Sequence, residues 1–166
     1  YAYHQLPEGT GTEQGYTRRD LELRAADFYA SIRKPESEWQ SIEDLAPQLA
    51  EFEHRVRAGD FDGAAQVLDT IDYGYLYNWG HYTQLVEMWR KLLGRLADPH
   101  FRANNLHSLG RAYHNLGQVE RAIDLFDMAL AIARETDDRR GECIQLSHLG
   151  RAYRYLRQIK QAIGHC

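Results

Sequence analysis

Residues 103–126 and 143–166 carry the same text displaced by 40 positions. Leu106, Leu109, Gly110, Arg111, Ala112, Tyr113 and Ala122 return as Leu146, Leu149, Gly150, Arg151, Ala152, Tyr153 and Ala162. A fixed period of this size is the mark of a repeat array. Each unit of such an array is half a core and needs its neighbours to bury the rest. The chain is thereby constrained to a stack of similar pieces. A binding surface is the natural product of such a stack, and a catalytic cleft is not.

The pieces read as helices. Only 4 of the 166 residues are Pro, and Ala, Leu, Arg, Glu and Gln are plentiful, which suits helix. A leading helix is expected over 16–34, with Leu21, Ala25, Phe28, Tyr29 and Ile32 on its inner face. It ends at Lys34-Pro35, because the residue before Pro avoids the helical region. A second helix over 45–58 is capped by Asp44 and striped by Leu45, Leu49, Phe52 and Val56, and Gly59 ends it. Phe61–Ile71 is its partner, with Ala64, Ala65, Leu68 and Ile71 inward. An aromatic segment follows, Tyr73, Tyr75, Tyr77 and Trp79. A helix over 81–96 then runs through Tyr82, Leu85, Val86, Trp89, Leu92 and Leu93. From 99 onward the spacing gives helices over 100–115, 119–135 and 140–156 and a shortened one from Ile159. The turns fall at Gly117, Asp137-Asp138 and 157. Loops this short make successive helices antiparallel neighbours.

The length suits one domain with a sizeable core. Net charge is −4, unevenly spread. Residues 1–98 hold 10 Lys+Arg against 17 Asp+Glu, and residues 99–166 hold 10 against 7. The C-terminal part is mildly basic, too weakly to call for nucleic acid. Cys143 and Cys166 make no disulfide framework, which points to a reducing, cytoplasmic setting. No apolar run reaches the length of a membrane span. Tyr1-Ala2-Tyr3-His4-Gln5 has neither a start Met nor a signal pattern, and the chain stops within a helical pattern. It reads as a piece of a longer protein.

The series Leu106, Leu109-Gly110, Tyr113, Gly117, Ala122, Phe126 and Ala129 resembles the tetratricopeptide repeat. Gly110 and Ala122 are small where helix backbones must approach, and Tyr113 and Phe126 fill the space between pairs. The usual repeat is 34 residues. The period here is similar to the longer-helix variant of kinesin light chains and bacterial signalling proteins. The second copy departs at Arg157, which replaces Gly117, and at Cys166, which replaces Phe126. Upstream, Gly59-x-Phe61-x-x-Ala64 and Gly80-x-Tyr82 keep only fragments of the pattern. The resemblance implies an all-α fold in which antiparallel helix pairs stack into a right-handed superhelix, an α-solenoid. It divides the chain into a connector at 1–15, a leading helix at 16–34, degenerate pairs at 45–97, a repeat at 99–138 and a truncated repeat at 139–166. The arrangement also resembles the C-terminal sensor region of bacterial STAND-type signalling ATPases. Tyr1–Leu6 is similar to the end of the winged helix that precedes such repeats.

Several apparent motifs dissolve on inspection. Gly9-x-Gly11-x-x-x-Gly15 is no dinucleotide fingerprint, since its third Gly is one place late and no strand precedes it. His100, His107 and His114 lie seven apart on one helix, about 10 Å along the axis for each step. One zinc ion cannot bridge that. Cys143 and His148 are five apart and point to different sides of a helix, so no thiol–imidazole pair is expected. No cofactor, metal or catalytic residue is assigned.

The first helices of stacked repeats line the concave face. The resemblance places His107, Arg111, His114 and Asn115 there, and from the next copy Ser147, Arg151, Arg154 and Tyr155. Three of these are Arg, which suits planar recognition of carboxylates and phosphates. Arg stands where the chaperone-type carboxylate clamp needs Lys and Asn, so that specificity does not carry over. The expected function is non-catalytic binding of a protein or acidic peptide, by the sensor or docking region of a larger cytoplasmic signalling protein. Other domains of the same parent are further expected partners. One rival is a small-molecule effector sensor built on the aromatic segment 73–89, another a purely structural scaffold.

Overall fold

The computed structural model describes residues 16–164, with side chains through Arg157. The expected connector at 1–15, the winged-helix remnant at Tyr1–Leu6 and the side chains of Ile159, Ala162 and Cys166 lie outside the described residues. Among those residues there are seven α-helices and no strand: α1 (Arg18–Ser31), α2 (Ala46–Arg57), α3 (Phe61–Ile71), α4 (Tyr82–Leu92), α5 (Pro99–Asn115), α6 (Val119–Glu135) and α7 (Arg139–Gly164). Within each part of the chain neighbouring helices pack in pairs, α1 on α2 and α2 on α3, then α4 on α5, α5 on α6 and α6 on α7, as a helical-repeat solenoid requires. The chain divides between Tyr75 and Leu76 into two compact units, where one domain was expected from length.

The first unit holds α1 to α3. Thr17 caps α1 in a box with Asp20, its hydroxyl accepting from the Asp20 backbone N–H at 3.2 Å. The apolar stripe expected on α1 is only partly inward: Leu21, Ala25 and Tyr29 are half-buried. Phe28 and Ile32 are exposed, and Glu22 and Ala26 are buried instead. Glu22 can go inside because its Oε2 lies 2.6 Å from His54 Nδ1 on α2, against which Tyr29 stacks at 5.4 Å. A buried carboxylate with a partner is tolerated where a lone one is not. Asp44, expected to cap this helix, does not: α2 starts after Leu45 with no side-chain cap, and Asp44 instead closes the 3₁₀ turn Ile42–Leu45 begun by Ser41, accepting from the backbone N–H of Gln40 and Ser41. Pro47 sits in the first turn of α2, where a missing N–H costs nothing. Leu45, Phe52, Ala64, Ala65, Leu68 and Ile71 are fully buried.

The aromatic segment contains a π-helical turn, Asp72–Tyr77. The second unit then runs from Leu76 through α4 to α7. On α4, Leu85, Val86, Met88, Trp89 and Leu92 are buried, while Leu93, expected inward, is exposed just past the helix end. The α5–α6 connection turns at Gly117, whose φ of +76° is open to glycine at no steric cost. The α6–α7 connection turns at Asp137, φ +53°, a conformation Asp tolerates better than most residues. Asp138 then caps α7, its Oδ1 accepting from Gly141 N at 2.9 Å. Val119, Ala122, Ile123, Phe126 and Leu130 of α6 close a core with Leu149 and Ala152 of α7. The turn expected at 157 is absent, and α7 is one helix from Arg139 to Gly164. Arg157 replaces Gly117 there. Without a residue suited to positive φ, nothing local stops the helix.

Candidate functional site

In the second unit, α5 and α7 present facing side chains. His107 Nδ1 lies 3.0 Å from Gln145 Oε1, the His107 and His148 rings meet edge-to-face at 4.8 Å, and His114 sits 5.7 Å from the Tyr155 ring. The π-helical turn ahead of α4 completes the wall. Tyr77 stacks under the Arg111 guanidinium at 4.4 Å, and its hydroxyl accepts from Asn115 Nδ2 at 2.7 Å. These contacts frame a cavity of about 120 Å³ lined by Tyr77, Arg111, His114, Asn115, His148 and Arg151.

Of the eight residues expected in the groove, Arg111, His114, Asn115 and Arg151 converge on this cavity. Tyr155 stands beside it against His114. His107 faces the same side but lines a second hollow of about 230 Å³ with Gln145 and Ile144. Ser147 and Arg154 are exposed on α7 and line neither. Arg111 is 7% exposed and stacks on the Tyr77 ring. Arg151 is exposed, and its guanidinium donates to His148 Nδ1 at 2.8 Å.

Two lining residues escaped the sequence reading. His148 occupies the repeat position of Ser108, and only the larger side chain of the second copy reaches back toward α5. That substitution between copies was the available signal. Tyr77 lies in a segment with no repeat register to place it. The rival aromatic site is dispersed: Tyr75 bonds Glu36 and packs on Trp39, Trp89 is fully buried, and Tyr73 is the exposed ring.

The cavity is rich in donors and none of its six lining residues is acidic. Its histidines are held neutral. Burial pushes His148 down to about 3, aided by His107, Arg151, Arg111 and His114. Burial, then the charge of Arg151, lowers His114 as well. A neutral His148 is also what the Arg151 hydrogen bond requires, since its Nδ1 must accept. His114 Nε2 is buried without a hydrogen-bond partner. No group of three or more His, Cys, Asp or Glu among the described residues could hold a metal ion.

Helix pairs carrying a donor-lined hollow on one face define a helical-repeat binding module. Residues 101–165 match the tetratricopeptide repeat family model. Repeats of this family generally mediate protein–protein interaction. No curated protein matches the chain. No helix among the described residues is long and apolar enough to cross a membrane.

Proposed function

We propose that the chain is a non-catalytic recognition module for an acidic protein segment, serving as the sensor or docking region of a larger cytoplasmic signalling protein. The observation that carries this reading is the convergence of Arg111, Arg151, His114 and His148 on one hollow with no acidic residue in its lining. A negatively charged segment supplies the acceptors these donors face. Ser147, Arg154 and Tyr155 are exposed on the same helix and are available to a longer ligand. Binding shifts the parent between closed and open arrangements in proportion to its preference for one of them. A pure scaffold leaves the hollow without a use.

The test is titration with Glu-rich peptides at rising salt. Binding that weakens with salt, and weakens further in Arg151→Ala/Arg154→Ala, supports the reading. Both arginines are exposed, so their loss leaves the fold intact. Equal binding by the double variant overturns it. Arg111 is unsuited to this test, because removing a buried, stacked guanidinium also disturbs packing.

A further inference from the structure

The groove reading leaves open which acidic group enters the hollow. Three elements line it: Tyr77 from the turn before α4, Arg111, His114 and Asn115 from α5, and His148 and Arg151 from α7, with the Asn115 amide spent on Tyr77 Oη and the Arg111 carbonyl. A carboxylate is planar and is best served by two parallel donors on one fork. A phosphoryl group offers three strong acceptor oxygens arranged about a tetrahedral centre, and carries about −1.5 to −2 charge at neutral pH. A volume of about 120 Å³ admits such a headgroup.

The details of the wall agree. All its cations are Arg, the residue whose planar fork suits phosphate, and none is Lys. Arg151 is exposed and spends one guanidinium nitrogen on His148, leaving the rest of its fork available at the entrance. His114 Nε2 has no partner. With its proton on that nitrogen, the neutral ring donates.

We propose that the hollow between Tyr77, α5 and α7 captures the phosphoryl group of a phosphorylated serine or threonine in the bound segment. This rests on the groove reading and names the chemistry it recognises.

Proton linkage gives an independent handle. The groups facing His148 are His107, Arg111 and His114 from α5, the uncharged Phe126 ring from α6, and Arg151 on α7 itself. Every titratable member of that set is basic. Burial first, and then repulsion from these groups, keeps the two imidazoles neutral; a bound anion offsets the repulsion, so both bind protons more readily in the complex. Sulfate keeps its charge through the neutral range. Its affinity therefore rises as pH falls from 7 to 5.5 only if the protein supplies the protons.

The experiment uses the whole chain with inorganic phosphate, sulfate and acetate, followed by the histidine ring resonances in NMR. In parallel, the protein is passed over degenerate peptide libraries with a fixed central phosphoserine, a fixed central Glu or an unmodified Ser. Phosphate and sulfate, and not acetate, are expected to shift the His114 and His148 signals, with sulfate tighter at pH 5.5. The phosphoserine library is expected to retain the protein at least tenfold better than the Glu library. Arg151→Ala loses that advantage, while Arg140→Ala, an exposed arginine in the first turn of α7, keeps it. Equal retention on Glu and phosphoserine overturns the phosphoryl assignment and leaves the acidic groove standing. Phosphate binding with no phosphoserine preference shows a free-anion site and overturns the peptide-borne claim. No retention on either acidic library, with no response to any anion, sinks both readings.

Discussion

The two repeat copies are nearly the same text in different surroundings. In the first, α6 folds back on α5. Leu106 is 5% exposed, and a Cβ added to Gly110 would lie 2.6 Å from the Phe126 ring. In the second, α7 runs straight on past 157. Leu146 is 47% exposed, Tyr153 is 54% exposed, and a Cβ on Gly150 meets nothing within 4 Å. The opposite face of α7, with Leu149 and Ala152, is buried against α6 in the ordinary way. One copy thus shows what the repeated spacing is for, and in the other the same positions lie exposed among the described residues. Identical residues acquire their roles from the helix that covers them, which is the physical meaning of a repeat that cannot fold alone.

That contrast is open to direct attack. The largest effect is expected at the paired leucines. Leu106→Ala removes a buried side chain and leaves a cavity, costing about 2–5 kcal/mol. Leu146→Ala removes a half-exposed one and is expected to stay within about 0.5–1 kcal/mol. Chemical denaturation of both variants measures the difference. Equal losses would show that the Leu146 face is covered in solution.

The glycines give a smaller but sign-reversing pair. Gly110→Ala drives a methyl into the fully buried Phe126 ring, so overpacking of about 1–3 kcal/mol is expected. Gly150→Ala has open space within a helix and is expected to stabilise by about 0.5–1 kcal/mol through helix propensity. The denaturation midpoints should move in opposite directions. Movement of both in one direction would place the two glycines in equivalent environments and undo the comparison.

The same contrast explains what could be read from sequence. Period and spacing reveal which residues repeat, and so located α5, α6 and the inward Leu109, Ala112, Ala122 and Phe126. They do not reveal whether the covering helix is there. Arg157 decides that locally, by denying the chain the positive φ that Gly117 provides. Periodicity failed in part on α1 for a related reason. Glu22 is inside because of His54, a partner 32 residues away on another helix, while Phe28 matches the apolar pattern and faces out. The site divides similarly. Arg111, His114, Asn115 and Arg151 follow from register, since first helices line one face. His148 and Tyr77 reach the hollow through side-chain size and an irregular turn, which register does not encode.

The subtlest test exchanges one residue between copies. Position 108 is a buried Ser and position 148 is a His held neutral, so His148→Ser gives the second copy the first copy's residue. At neutral pH the variant loses the contacts with His107, Phe126 and Arg151 and is expected to be about 1 kcal/mol less stable. In acid the comparison changes. The folded pKa of His148 is pushed down to about 3 from an ordinary 6.5, so the unfolded chain takes up a proton first as pH falls. The wild-type protein keeps this contribution to stability above about pH 6.5, loses it progressively toward pH 3, and loses no more below. The variant lacks that group and is spared the loss. Titrating groups away from His148 are common to both chains and cancel in the difference. The stability gap measured by denaturation at pH 7, 6, 5 and 4 should therefore narrow steadily and can reverse. A gap that stays constant would mean that His148 titrates normally and is not enclosed by the basic groups of α5. The second copy would then have no more claim than the first to a built recognition site.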